Sequence, residues 1–307
     1  MLGFIKRLKT FIPESIWEYF RLRSILKSHA DVAIYWDGIL EKYINENIEI
    51  YPLQPKKNIE NSERIIWQYW AQGLSEKDVP EVVQMCFDSV DRYKGDYNVI
   101  RLSDSDLNQY IDLPPYILEK YTKEIIGKAH FSDLIRLALL SVYGGVWLDA
   151  TIYLTAPLKD MLIENEWFMY QRDSKQEDKK LWTRTYAYYF GWHKSFKVRL
   201  LNSVIYAQKG NLVISDFFNL LLYYWKTENG IKDYFFFQIL FTQYMEKFPE
   251  RNCPIESDCL PNLLQMYITG SYYKYTVLDI LKKTSIHKLS YKTIRAEDLN
   301  NLIKLNK

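Results

Sequence analysis

The stretch from Lys128 to Pro157 (KAHFSDLIRLALLSVYGGVWLDATIYLTAP) restricts the possible folds more than any other part of this chain. Its apolar residues up to Val142 recur at helical spacing, which predicts a helix with a core-facing side. Gly144 follows, and a glycine can adopt the left-handed backbone that closes a helix. The apolar triplet 146–148 then predicts a short buried strand. The stretch therefore predicts a helix, a tight turn and a strand that ends at Asp149.

Asp149 lies at the carboxyl end of this strand, where open α/β sheets bind their ligands. A carboxylate there can hold a hard divalent cation, and Mg²⁺ usually takes one or two carboxylates together with phosphate oxygens. On the preceding helix, Ser132, Asp133 and Arg136 lie within one turn. The pattern thus places polar groups of both signs beside a carboxylate that is suited to a metal.

Two other interpretations fit the same spacing. Asp133 and Arg136 can form a surface ion pair, worth about 0.2–0.5 kcal/mol, while Asp149 merely opens a turn. Aspartyl-phosphate phosphatases also have an Asp after a hydrophobic strand. Their chemistry needs a second Asp two residues later, where this chain has Thr151. Spacing by itself does not decide between the ion pair and the ligand site.

The combined motif resembles the signature of the bacterial capsular polysaccharide synthesis glycosyltransferases. The matching residues are Ser-Asp-x-x-Arg at 132–136 and Tyr-Gly-Gly-Val-Trp-Leu-Asp-Ala-Thr at 143–151. That family is related to the sugar-binding Asp-x-Asp glycosyltransferases (family 32-like) and, more remotely, to the glucosylating domains of large clostridial toxins. This chain has Asp-Ala-Thr where the wider superfamily has Asp-x-Asp.

The resemblance implies a GT-A-type α/β fold with one Rossmann-like mixed sheet flanked by helices. It implies that Ser132, Asp133 and Arg136 bind the donor sugar and the ribose or phosphate of a nucleotide-diphosphate sugar, most of all a UDP-sugar. It further implies that Asp149 holds Mn²⁺ or Mg²⁺ on the diphosphate, with Thr151 contacting the ion through its hydroxyl or through water. Asp133 and Asp149 are then catalytic, and relatives retain the anomeric configuration.

Upstream, residues 64–70 (RIIWQYW) predict the first strand of the sheet. The resemblance extends to this strand, whose end receives the nucleotide in relatives. An aromatic ring at a strand end can stack on a nucleobase. Trp67, Gln68 and Trp70 are therefore predicted donor contacts, with burial as the alternative for a ring that points away. A helix through 79–93 and a strand at 97–102 are predicted next, and this alternation predicts a parallel order of the first strands.

Downstream residues complete the predicted site. Strands are predicted at 187–190 and 204–207, and Asn202 lies just before the second of them. Asn202 resembles an Asn near the donor sugar of relatives, and Asp233 is predicted to face the cleft as a third catalytic carboxylate. An isolated His is usually an ordinary surface or core residue, but a neutral imidazole also suits Mn²⁺. Relatives bring a C-terminal His to the ion and a nearby Lys to the phosphates. The resemblance thus implies His287 as a metal ligand and Lys288 or Lys292 as phosphate contacts.

Composition narrows the remaining classes of protein. A formal net charge of +2 over 307 residues gives no general basis for a nucleic-acid partner, and a hydrophobic content of 48% supports a large core. The three cysteines are too few and too unevenly spaced for a disulfide framework or a zinc site. So few cysteines favour a protein of the reducing cytoplasm.

Residues 1–30 carry six basic and two acidic residues, an excess of four positive charges. A basic amphipathic helix predicts contact with anionic lipid, here on the inner face of the cell membrane, where a lipid-linked acceptor would lie. A helix that packs on the protein itself fits equally well. No uninterrupted apolar run in this region approaches the ~20 residues of a membrane span.

The sequence thus predicts an N-terminal helical region at 1–60 and a nucleotide-sugar transferase domain at 61–307. The predicted function is metal-dependent, retaining transfer of a sugar to a saccharide or lipid-linked acceptor in capsular or surface polysaccharide synthesis. The alternative is a non-catalytic sugar-binding or scaffold subunit of a polysaccharide assembly complex, and the departure from Asp-x-Asp is its main support.

Overall fold

The computed structural model describes residues 13–60, 64–158, 164–272 and 274–305. The helices in these ranges are α1 Glu14–Ile44, α2 Glu81–Tyr93, α3 Pro115–Thr122, α4 Lys128–Tyr143, α5 Lys179–Thr185, α6 Leu212–Thr227, α7 Phe236–Lys247, α8 Leu263–Ile268, α9 Val277–Lys283 and α10 Ala296–Leu305. The strands are β1 Ile65–Tyr69, β2 Asn98–Leu102, β3 Gly145–Leu148, β4 Ile152–Leu154, β5 Trp167–Gln171, β6 Leu200–Ala207 and β7 Ile286–Lys288.

Five strands form the main sheet in the order β2-β1-β3-β6-β5. The strands β2, β1 and β3 are parallel, whereas β6 runs antiparallel to both β3 and β5. Strands β4 and β7 form a second, antiparallel sheet. The predicted mixed α/β architecture, with helices around the sheet, is confirmed, as is the parallel order of its first strands.

Helix α4 lies in the centre of the molecule and is buried on all sides. From His130 to Tyr143 every residue except Ser132 is buried. The helix ends at Tyr143, and Gly144 follows it with a φ of +73°. A Cβ on this residue would lie 2.6 Å from the backbone nitrogen of Lys209. The glycine therefore allows both the turn and the close approach that lead the chain into β3.

Helix α1 packs against the main body through its C-terminal two thirds. Ile25, Val32 and Leu40 are buried there, and the Trp36 indole donates to the Phe236 carbonyl at 2.8 Å. Packing on the protein itself, the alternative to a lipid-binding helix, thus describes this part of α1. The domain boundary after residue 60 stays a prediction.

The start of α1 differs from the rest of the helix, because Ile16, Tyr19 and Phe20 are exposed there. The basic residues of the first twelve positions lie outside the described ranges. Within those ranges, no helix combines the length and the apolar character that crossing a membrane requires.

Candidate active site

A cleft of about 730 Å³ opens at the carboxyl ends of β1 and β3. This is the edge at which the sequence places Asp149. The predicted site residues that line the cleft are Trp70, Ser132, Asp133, Arg136, Asp149, Thr151, Asn202, Lys288 and Lys292. The fold thus brings most of the predicted residues together from five separate segments of the chain.

Arg136 forms the centre of the polar network in this cleft. Its side chain is 5% exposed and lies 3.4 Å from Asp133 Oδ1 and 3.3 Å from Asp149 Oδ1. It also donates to the carbonyl oxygens of Ser132 and Asn202, at 3.1 and 2.5 Å, and to the Ser132 hydroxyl at 3.0 Å. Protein oxygens thus surround the guanidinium, which lies between the two carboxylates. The predicted contact of Arg136 with the donor stays a prediction.

Asp133 is buried and accepts a hydrogen bond from Asn202 Nδ2 at 2.7 Å. Burial raises the pKa of Asp133, and the opposing effect of Arg136 does not fully offset it. This carboxyl group lies at the cleft surface with one oxygen fixed by an amide. Such a group is suited to accept hydrogen bonds from ligand hydroxyls.

Asp149 has a different electrostatic environment. Its Oδ1 accepts from the Trp147 indole at 2.8 Å, and its Oδ2 lies 3.2 Å from the Lys288 ammonium. Burial acts to raise the pKa of Asp149, but Arg136 and Lys288 together outweigh burial and hold the pKa well below its usual range. Asp149 is therefore a charged carboxylate held between two cations.

The oxygens assigned to a metal by the resemblance both contact a lysine. The Lys288 ammonium lies 2.5 Å from Thr151 Oγ1 as well as 3.2 Å from Asp149 Oδ2. Mg²⁺ needs near-octahedral oxygen ligands, and Mn²⁺ also favours carboxylates and water. Across the described ranges, no group of three or more His, Cys, Asp or Glu side chains is arranged to hold a metal ion. Because the ammonium contacts both oxygens, these residues as arranged do not fit a divalent cation site.

The prediction that His287 ligates the metal is wrong. His287 is fully buried, and its Nε2 lies 3.1 Å from the Thr155 hydroxyl, away from the cleft. Burial lowers the pKa of His287 to about 3, so the ring is neutral. Successive residues of a strand point to opposite faces. Because Lys288 of β7 faces the cleft, His287 faces the core.

Two of the predicted donor contacts are also wrong. Trp67 is fully buried in β1 and donates to the Gly144 carbonyl at 2.9 Å. Gln68 is equally buried, and its Oε1 accepts from Arg101 Nε at 3.0 Å. Every residue of β1 is buried, and neither of these two side chains lines the cleft. Trp70, one residue past the end of β1, lies in the cleft wall and packs edge-on against Tyr291 at 5.4 Å.

Asp233 does not line the cleft, which corrects its predicted catalytic role. Its Oδ2 accepts from the Ser28 hydroxyl at 2.6 Å, and its Oδ1 accepts from the Phe235 backbone at 2.8 Å. The carboxylate thus joins α1 to the segment before α7. The next residues, Tyr234 and Phe235, are the ones that line the cleft.

A family model described as capsular polysaccharide synthesis protein matches residues 17–304. The chain belongs to this family. The match includes the whole cleft, so the residues described above are those of a family member rather than of an appended segment.

One curated relative is O-glycosyltransferase braB from Annulohypoxylon truncatum. It is 24% identical to this chain over 204 residues, which is 64% of this chain and 45% of the relative. The chain thus matches less than half of that protein's length. Among solved structures, a chain named PaToxG Glycosyltransferase aligns over 94% of both chains with 13% identity and a TM-score of 0.37.

In this member of the capsular polysaccharide synthesis family, one part of the cleft wall is aromatic. Its rings, which sequence analysis did not single out, are Tyr186, Tyr189, Phe190, Tyr234, Phe235 and Tyr291. The high aromatic content of the chain, 16%, was the available signal. It did not distinguish core rings from cleft rings, because burial depends on contacts between distant segments.

Proposed function

We propose that this chain is a glycosyltransferase that binds a nucleotide-diphosphate sugar in the cleft, with a UDP-sugar as the first candidate. The acceptor in this proposal is a saccharide or a lipid-linked saccharide used in capsular polysaccharide synthesis. One observation carries the proposal: the fold gathers Asp133, Arg136, Asp149 and Lys288 at the carboxyl ends of β1 and β3. Membership of the family and the printed name of the 24% relative support it.

The charges of the cleft suit a diphosphate leaving group. Breaking the bond between a sugar and a diphosphate develops negative charge on the diphosphate oxygens. Lys288 and Lys292 both line the cleft and supply positive charge for these oxygens. Preorganised charges of this kind stabilise a transition state without reorganising during the reaction.

Other cleft residues suit the sugar and the base of the donor. Asp133 and Asn202 are hydrogen-bonded to each other and present polar atoms for sugar hydroxyls. Their role is to position the sugar rather than to transfer a proton. Trp70 lies at the end of β1, where its ring can stack on the nucleobase.

The aromatic wall provides a surface for the acceptor. Tyr and Trp rings combine an apolar face with a polar tip and so suit the mixed surface of a saccharide. Tyr234 is 58% exposed, which leaves most of its ring available to a ligand. Retention of the anomeric configuration, implied by the resemblance of the motif, is part of the proposal, as is a position on the cytoplasmic face of the membrane.

Calorimetric titration with UDP, GDP and their sugars, with and without Mn²⁺ or Mg²⁺, tests nucleotide binding. Chromatography of the products tests cleavage of the same donors. Asp133→Asn should lower donor cleavage by about 10²-fold, the scale of loss when positioning is disturbed, while the far-ultraviolet spectrum is unchanged. Asp298→Asn, which changes a surface ion pair between Arg295 and the first turn of α10, is the matched control and should retain wild-type cleavage.

A complete failure to bind any of these nucleotides, in the presence or absence of metal, would overturn the proposal. That result favours the scaffold alternative, whose support is the replacement of the second Asp of the motif by Thr151.

A further inference from the structure

The backbone holds Lys288 beside the carboxyl end of β3. In the small sheet, Lys288 pairs with Ile152, the residue that directly follows Thr151. The adjacent Leu289 nitrogen donates to the Thr151 carbonyl at 3.0 Å. The backbone of this lysine is therefore fixed by its pairing with β4, and its ammonium lies beside Asp149.

The ammonium occupies the place that a metal would take. It contacts Asp149 Oδ2 and Thr151 Oγ1, the two oxygens that the motif would offer to an ion. A divalent cation bound to the same oxygens would lie against the positive charge of Lys288. In a partly buried cleft this repulsion is weakly screened. Bound metal and bound ammonium are therefore competing occupants of one position.

The charges of the site are already balanced without a metal. Asp133 and Asp149 carry the acidic groups, and Arg136 and Lys288 are their cationic partners. Lys292 adds a further positive charge in the cleft wall. A diphosphate that enters the cleft thus meets at least one excess cation.

The Lys288 side chain remains accessible to a ligand. It is 26% exposed and lines the cleft. An ammonium group has three N–H donors, and within the described residues two acceptors contact it, Asp149 and Thr151. One donor therefore remains for an oxygen that approaches from the cleft.

We propose that the Lys288 ammonium replaces the divalent cation in this chain, binds the diphosphate of the donor and makes sugar transfer independent of metal. This inference rests on the proposed function. Asp149 and Thr151 are then positioning residues that hold the ammonium. In the step itself, the bond from the sugar C1 to the diphosphate oxygen breaks, and its electron pair passes to the diphosphate. The acceptor hydroxyl forms the new bond to C1 and gives its proton to the departing diphosphate.

The test uses the full chain after treatment with EDTA. UDP binding is measured by calorimetry, and cleavage of a UDP-sugar by product release, in excess EDTA and again with added Mn²⁺ or Mg²⁺. We expect wild-type protein to bind and cleave equally in all three conditions. Lys288→Met should weaken UDP binding and lower turnover by about 10²–10³-fold, as expected for loss of one preorganised charge.

Lys288→Arg keeps the charge and should restore part of the turnover lost in Lys288→Met, which a merely structural role would not predict. Lys226→Met is the matched control, because this exposed lysine of α6 pairs with Glu49 away from the cleft. It should behave as wild type.

Two results would overturn the inference: UDP binding that EDTA abolishes and Mn²⁺ restores, or Lys288→Met protein that binds UDP as tightly as wild type. Both leave the proposed function intact, because the nucleotide still binds. Absence of UDP and UDP-sugar binding under every condition would instead overturn the proposed function, and the inference with it.

Discussion

Replacement of Arg136 by Met should lower the free energy of unfolding by about 3–5 kcal/mol, the usual loss when one partner of a buried ion pair is removed. Arg136 is 5% exposed and is the shared cation of Asp133 and Asp149, whose side chains are 9% and 21% exposed. Methionine has a similar shape but leaves the two carboxylates without their common partner. Burial already raises the pKa of Asp133, and without Arg136 its charged form keeps the hydrogen bond from Asn202 but loses its paired cation.

A second ion pair in the same chain provides the control. Arg295 and Asp298 have the same i, i+3 spacing as Asp133 and Arg136, at a shorter distance of 2.9 Å, but they are 75% and 36% exposed. Arg295→Met should lower stability by at most about 0.5 kcal/mol, since exposed ion pairs contribute little. The comparison separates the effect of burial from that of sequence spacing.

Urea unfolding followed by tryptophan fluorescence and circular dichroism measures both variants, with the slope against urea checked for constancy. Adding Asp133→Asn to Arg136→Met should recover part of the loss, because one uncompensated charge is removed. The reasoning is refuted if Arg136→Met and Arg295→Met lower stability equally, or if the second substitution makes the loss larger.

Three other perturbations test separate features. Burial lowers the pKa of His29 from 6.5 to about 4, against the opposing effect of Asp233. As pH falls, the unfolded chain therefore binds the proton first. The free energy of unfolding should drop between pH 6.5 and 4 by less than ~1.4 kcal/mol per pH unit. In pH-dependent urea unfolding, His29→Asn should flatten this slope, and exposed His193→Asn should not. Gly144→Ala should lower the melting temperature more than Gly210→Ala, because both have positive φ but only the Gly144 Cβ meets backbone within 4 Å; equal losses would contradict the close approach. Removal of residues 1–12, which spares the buried part of α1, should abolish flotation with anionic liposomes, and unchanged flotation would exclude this segment as the lipid contact.

Local sequence was enough to predict the central motif. The periodicity from Lys128 onward, the glycine pair and the apolar triplet predicted a helix, a turn and a strand, and α4 and β3 are found there. The site carboxylate Asp149 followed from the position of that strand end. These features depend on neighbours within a few residues, which is why one sequence reveals them.

Other elements depended on distant contacts and were predicted incorrectly. Residues 187–190 were interpreted as a strand but form a turn after α5. The strand predicted to begin at Val204 begins at Leu200, which places Asn202 inside β6 rather than before it. In both segments, hydrophobic residues are buried by packing between elements. A short apolar run does not show whether the buried segment is a strand or another element.

The sequence by itself determined which residue types stand at the end of β3 and on the helix before it. Tertiary structure alone decided their electrostatic state. The spacing of Asp133 and Arg136 is that of an ordinary surface pair, and it became a buried network because α4 is covered on every side. Likewise, the pairing of β7 with β4 brings Lys288 to Asp149, which is 139 residues away in the sequence. The same pairing turns the side chain of His287 into the core. Strand alternation and burial set these orientations, and both depend on contacts between residues that are far apart in the chain.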